Sequence, residues 1–185
     1  MTPLSNYLED IIRQFRQYKE LVGKALAQIG DEDLFRQIDD ESNSISIIMK
    51  HLAGNMRSRW TDFLISDGEK PDRDRDSEFI MDSSDTRESI MRAWDAGWER
   101  LFGTLESLGP EDLDKIILIR NEPHTIMQAI NRNLTHCAYH AGQIVFIARH
   151  FRGSQWKSLS VPKGKSREFN EMKRRKSGLD DPMLR

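Results

Sequence analysis

Four long stretches of this chain repeat apolar residues at the spacing of an α-helix, and none sustains the alternation of a strand. The first runs from about Ser5 to Gln28 and aligns Leu8, Ile11, Phe15, Tyr18, Val22, Ala25 and Ile29; Gly30 reads as its stop. The second, from about Ser44 to Ile65, aligns Ile45, Ile48, Leu52, Met56 and Phe63. The third, from about Thr86 to Leu108, aligns Ile90, Trp94, Trp98, Leu101 and Leu105. Asp85 and Glu88 precede it at capping-box spacing, and Gly109-Pro110 ends it. The fourth runs from about Ile126 to Phe151 behind a second such pair, Thr125 and Gln128. A helix with a single apolar stripe has to bury it against another element. The expected fold class is therefore all-α, a four-helix bundle whose Trp94 and Trp98 are core residues.

The connections refine this expectation. Residues 67–83, opening Asp67-Gly68-Glu69-Lys70-Pro71-Asp72-Arg73, form a long charged connection. Loops of that length in compact domains serve a function or cross a bundle between non-adjacent helices, so a long crossover between helices 2 and 3 is expected. Lys115-Ile116-Ile117-Leu118-Ile119 reads as a short strand-like cover. Gly30-Asp31-Glu32-Asp33-Leu34 and Gly109-Pro110-Glu111-Asp112-Leu113 echo one another, which suggests two helix pairs with approximate two-fold symmetry; convergent capping would give the same letters. Helical periodicity ends near Gly153. The expected organisation is thus a helical bundle over 1–153 and a basic C-terminal tail over 154–185, disordered or partly docked through Trp156, Leu159, Val161 and Phe169.

The whole chain has 185 residues, 31% of them charged, a mean hydropathy of -0.66 and a formal charge of -2. That balance gives no general reason to expect a nucleic-acid or membrane partner, although residues 154–185 alone carry +5. The basic tail lacks a regular array of stacking aromatics and reads as a solvated arm. No apolar run reaches the roughly 18 residues of a membrane helix, and the N-terminal residues lack the pattern of a signal peptide. The single cysteine, Cys137, excludes an internal disulfide and suits a reducing compartment, so a cytoplasmic location is expected.

Within the fourth helix, His136 and His140 are one turn apart, among only five histidines in the chain. With His136 at zero on a helical wheel, His140 falls near 40° and Asn133 near 60°, all on the core-facing stripe. Burying them without partners costs on the order of a few kcal/mol, so something has to satisfy them. His51 lies at one edge of the second helix's stripe, beside Asn55, Ser58 and Asp62, where a side chain reaches into a cleft. Three neutral imidazoles with a fourth position open to water are a known catalytic metal arrangement. Chance spacing or simple core packing also produces an i,i+4 histidine pair. His150 in the last helical turn suits the helix dipole, His124 reads as a surface residue, and Cys137 as a small buried thiol. A zinc peptidase would need glutamate where Cys137 stands, and the chain has no phosphate-binding glycine loop, serine elbow or dinucleotide fingerprint.

Ile48-Met49-Lys50-His51-Leu52 and His136-x-x-x-His140-x-Gly142-Gln143-Ile144 together resemble the DinB-like superfamily of bacterial metal-binding four-helix bundles. Asn131-Arg132, Trp156-Lys157-Ser158-Leu159-Ser160 and Pro162-Lys163-Gly164 are similar to one branch of it that has no assigned activity. The resemblance implies a long crossover, a homodimer, and a divalent ion, commonly zinc or nickel, on the matching His51, His136 and His140. Relatives of that kind include transferases and isomerases that use low-molecular-weight thiols such as bacillithiol, mycothiol or glutathione.

The leading functional expectation is a metal-dependent enzyme whose ion activates such a thiol, or water, against a small-molecule substrate. Asn55, Arg59, Asp62, Arg132, Asn133, Tyr139 and Gln143 are expected around the pocket or behind the ligands. The alternatives are a dimeric stress protein that binds metal or ligand without turnover, and a metal-dependent hydrolase.

Overall fold

The structure is a computed structural model that describes residues 3–177; residues 1–2 and 178–185, the extreme ends of the N-terminal segment and of the basic tail, lie outside the described residues. The chain divides into two compact units, 1–153 and 154–185.

The first unit contains α1 (Pro3–Leu26), a short α2 (Asp31–Phe35), α3 (Ile45–Trp60), α4 (Arg87–Ser107) and α5 (Ile126–Arg152), with an antiparallel hairpin, β1 (Ile116–Ile119) and β2 (Glu122–Thr125), before α5. The fold is mostly helical rather than all-helical, because the Lys115–Ile119 cover finds a pairing strand. Local chemistry sets the helix ends. Ser44 caps α3, its hydroxyl accepting from Ile47 N at 3.2 Å. Thr125 and Gln128 form the expected reciprocal cap of α5. At α4 the reciprocal pair is instead Thr86 and Ser89. Asp85, expected in that role, accepts from Lys50 Nζ and from Asp82 N, both at 2.8 Å. Gly30 does not stop α1 either. The helix ends at Leu26, and Gly30, in extended conformation at φ -84°, leads into α2.

Packing directions explain the long connection. Lys50 meets Asp85, Met56 approaches Gly97, and the Trp60 carbonyl accepts from Thr104 Oγ1 at 3.1 Å. Both residue numbers rise together, so α3 and α4 lie side by side and parallel. The crossover thus joins adjacent helices, not non-adjacent ones, and is long because it must return along α3. It retraces that helix in contact: Gly68 and Lys70 bond Ser58, Asp72 pairs with Arg57, Glu78 reaches His51, and Ile80 accepts from Lys50. Against α5 the direction reverses, since His51 meets His136 while Asn55 meets Asn133. Against α4, α1 also runs antiparallel, pairing Arg16 with Glu106 and Lys19 with Asp95.

The core between these helices holds Phe15, Leu52, Met56, Trp60, Trp94, Trp98, Leu101 and Ile144, all essentially buried. The hairpin closes through Arg120 and Asn121, both left-handed at φ 55° and 61°, as a two-residue turn matched to strand twist requires. Asp67 of the crossover holds that turn by accepting from both backbone N–H groups, at 2.8 and 2.7 Å. In the second unit, residues 166–177 form α6 (Ser166–Ser177), a regular helix where the sequence pattern suggested none.

Two glycines of α4 should respond oppositely to substitution. A Cβ on Gly97 would sit 3.1 Å from Met56 Cε and 3.4 Å from Ala53 Cα, whereas one on Gly103 would meet nothing within 4 Å. Gly97→Leu is expected to destabilise by roughly 1–3 kcal/mol through overpacking, and Gly103→Ala to stabilise by about 0.5–1 kcal/mol. Urea unfolding of the two variants checks both signs.

Candidate metal centre

The antiparallel register of α3 and α5 brings the histidines together. With Asn55 opposite Asn133, the position one turn earlier on α3 lies level with the turn spanning His136 and His140. The three rings accordingly cluster, with centroids 5.2 Å apart for His51–His136 and His51–His140 and 4.6 Å for His136–His140. One nitrogen from each lies within 4.8 Å of the other two. Among the described residues the group has these three members and no thiol or carboxylate joins it.

The orientations of the His51 and His140 rings follow from their neighbours. His51 is 5% exposed, and its Nδ1–H donates to Glu78 Oε2 at 2.9 Å. That hydrogen bond leaves Nε2 as the His51 nitrogen available to an ion, and it lies 3.1 Å from His136 Nε2. His140 Nδ1–H donates to Gln143 Oε1 at 2.7 Å, so its lone pair is on Nε2. His136 Nδ1 is buried and lacks a hydrogen-bond partner, so nothing orients that ring from behind.

A tetrahedral ion with metal–nitrogen bonds near 2.0–2.1 Å separates its ligand nitrogens by about 3.3 Å. The His51–His136 separation comes close to that, and His140 needs only a modest approach. Two imidazole nitrogens facing at hydrogen-bond distance need a proton or a cation between them. The donor set therefore fits a divalent ion.

The surroundings of His136 and His140 disfavour protonation of both rings. Burial, then the charges of His140, His51, Arg59 and Arg73, pull the His136 pKa down from 6.5 to about 3. Burial likewise lowers His140, opposed by the Gln143 hydrogen bond. Burial is the largest single influence on Glu78 and raises its pKa, but the hydrogen bonds from His51 and Arg73 and their charges together outweigh it and hold the carboxyl below its usual value. Arg73 grips it from both sides, Nε to Oε1 at 2.8 Å and Nη2 to Oε2 at 2.9 Å. The carboxylate rests on Gly54, where a Cβ would come within 2.1 Å of Oε1. That leaves room for a charged orienting group behind a metal ligand.

Beside the cluster opens a cavity of about 380 Å³. Of the residues expected there, Asn55, Arg59, Arg132, Asn133 and Tyr139 line it, and Gln143 supports His140. Asn133 is satisfied by Trp60 Nε1 at 3.1 Å and by Asn55 at 3.0 Å. Asp62 does not belong; it faces a different groove, bordered by Arg57, Lys70 and Arg100. His150 is exposed, His124 is half-buried and bonded to Arg132, and Cys137 is buried with its thiol pushed up to about 12 by that burial. Glu78, Arg73 and Arg120 escaped the sequence reading, since they come from the crossover and the hairpin, where no periodicity marks a side chain's direction.

Two outcomes are expected. Glu78→Gln should weaken zinc binding by roughly tenfold or more with helicity unchanged, while His136→Ala should abolish stoichiometric binding, both read by titration calorimetry. Because folding lowers the His136 pKa, the unfolded chain binds more protons between about 3 and 6.5. Stability of the metal-free protein should then fall on acidification through that window, and His136→Leu should flatten part of the slope in urea midpoints measured at successive pH values. An identical slope in the variant would contradict the assignment.

No curated protein matches the chain. No described helix is long and apolar enough to cross a membrane. One family model covers residues 4–165, which includes the three histidines, Glu78, the cavity and the hairpin, and the chain accordingly belongs to the family described as "Protein of unknown function (DUF1572)".

Proposed function

We propose that the protein is a DinB-like four-helix bundle and a metal-dependent enzyme, in which His51, His136 and His140 hold a divalent ion, zinc or nickel, that activates a low-molecular-weight thiol or water. The observation that carries this reading is the convergence of three imidazole nitrogens within 4.8 Å, with His51 and His136 on the wall of an open cavity. A structural ion is enclosed by four protein ligands, whereas three ligands facing a cavity leave a position for a reacting molecule. The parallel α3 and α4 joined by a returning crossover support the bundle assignment.

A bound divalent ion supplies Lewis acidity, which lowers the pKa of a coordinated thiol or water. The chain's own residues do the rest. Glu78 fixes His51 in the tautomer that presents Nε2, and Gln143 does the same for His140. Asn133, held by Trp60 and Asn55, sets the spacing of α3 and α5 beneath the site. Tyr139 accepts from Gln143 Nε2 at 3.1 Å and keeps its own hydroxyl hydrogen for a ligand in the cavity. Cys137, 1% exposed and with a raised pKa, is unsuited to act as a nucleophile, so thiol chemistry here uses a thiol from outside the chain.

Purified protein incubated with an alkylating electrophile and bacillithiol, mycothiol or glutathione, with and without chelator, tests the proposal. Conjugate formation that requires metal and disappears in His136→Ala is the expected result. Turnover of ester or amide substrates without added thiol would instead make the protein a hydrolase. Metal binding without turnover across the panel would leave a binding protein.

A further inference from the structure

Five arginines, Arg59, Arg73, Arg75, Arg120 and Arg132, line the cavity beside the histidines, and no carboxylate does. Most of them have partners. Arg73 is held by Glu78 and Glu69, Arg120 donates to Glu69 at 3.3 Å, and Arg75 lies 4.9 Å over the Phe79 ring. Among the described residues Arg132 is bonded to His124 Nε2, at 3.1 Å.

Arg59 differs from all of these. It is 7% exposed, and its Nη1 is buried with no hydrogen-bond partner. The side chain is wedged against Gly68, where a Cβ would lie 3.0 Å from both Cδ and Nη1. Burial and the charge of Arg132, only partly offset by Glu69, pull its pKa down to about 10. A buried guanidinium nitrogen without an acceptor is destabilising, and an anion against the part of Arg59 that lines the cavity would offset that cost. The neighbouring polar groups are likewise placed to donate. Asn55 Oδ1 is engaged by Asn133, which leaves its Nδ2 for the cavity, and the Tyr139 hydroxyl hydrogen is free.

We propose that this cavity binds a small molecule through an oxyanion, a carboxylate or a phosphate, with Arg59 as the buried anchor and Arg132 as the second guanidinium. A planar fork of N–H donors matches both oxyanions. A volume of about 380 Å³ suits a metabolite-sized ligand rather than a macromolecule. The assignment deepens the proposed function by naming the substrate class, and it rests on that function only in taking the rest of the molecule to react at the histidines.

The test is calorimetric titration of inorganic phosphate and, separately, succinate into full-length protein freed of metal by chelation and desalting, at low ionic strength. Zinc titration of the same samples reads the histidine site independently, so either site can fail alone. Saturable binding of at least one probe is expected, and the probe that binds assigns the oxyanion. Arg59→Met should weaken it by about tenfold or more, with Arg59→Lys intermediate. No binding of either probe, or unchanged affinity in a folded Arg59→Met protein, overturns the proposal. If circular dichroism shows Arg59→Met unfolded, exposed Arg132→Met decides instead: weaker binding supports the site and unchanged affinity overturns it.

Discussion

Two successive helices that lie side by side and parallel must be joined by a chain about as long as the helix itself. The candidate site depends on that requirement. Because α3 and α4 run the same way, residues 61–86 return along α3, and their contacts descend from Ser58 to Lys50. Midway they deliver Glu78 and Arg73 to His51. A tight turn between antiparallel helices would leave His51 Nδ1 facing solvent or apolar side chains, with its tautomer undefined. Gly54 is the local concession that lets the carboxylate approach. The same stretch of chain places Asp67 under the β1–β2 turn, so one connection positions the acid behind His51 and the hairpin that supplies Arg120.

A second polar contact sets the scale of the site. Asn133 lies in the apolar interface of α3 and α5, accepting from Trp60 and donating to Asn55. Hydrogen bonds inside a packed interface tolerate little sliding, because each displaced partner becomes a buried unsatisfied group. The bridge therefore locks the register of the two helices within one turn of the three imidazoles. Apolar packing alone would hold the helices together but would specify their axial offset less sharply.

These contacts also show why some features were legible in sequence and others were not. The apolar stripes located α4 and α5 within a residue or two, and the Thr125–Gln128 cap was read correctly because its partners are three residues apart. The histidine pair was legible for the same reason, since helical geometry alone puts positions 136 and 140 together. His51 was joined to that pair through the family resemblance, because the α3–α5 register that brings it there is contained in no local pattern. Glu78 was invisible because irregular backbone carries no period from which to infer a side chain's direction. Asp85 was misassigned as a cap because its spacing to Glu88 was right, yet Lys50, 35 positions away, captures its carboxylate. Gly30 misled in a related way: glycine ends helices through left-handed conformations, and here it adopts an ordinary extended one. α6 has only Phe169 and Met172 as apolar residues among its twelve, which offered periodicity little to detect.

The electrostatics of the site tie the two proposals together. The five arginines beside the imidazoles weaken the site's hold on a lone dication, because nearby guanidiniums oppose added positive charge as Arg59 and Arg73 oppose protonation of His136. Glu78 offsets part of this but is already committed to His51 and Arg73. An oxyanion on Arg59 would neutralise the wall facing the histidines and favour an ion there, while the ion in turn would favour the oxyanion. Linkage makes the two effects equal in free energy. Such a site would be most fully occupied with both ligands present, which gives a physical reason for a cavity that gathers arginines next to three clustered imidazoles.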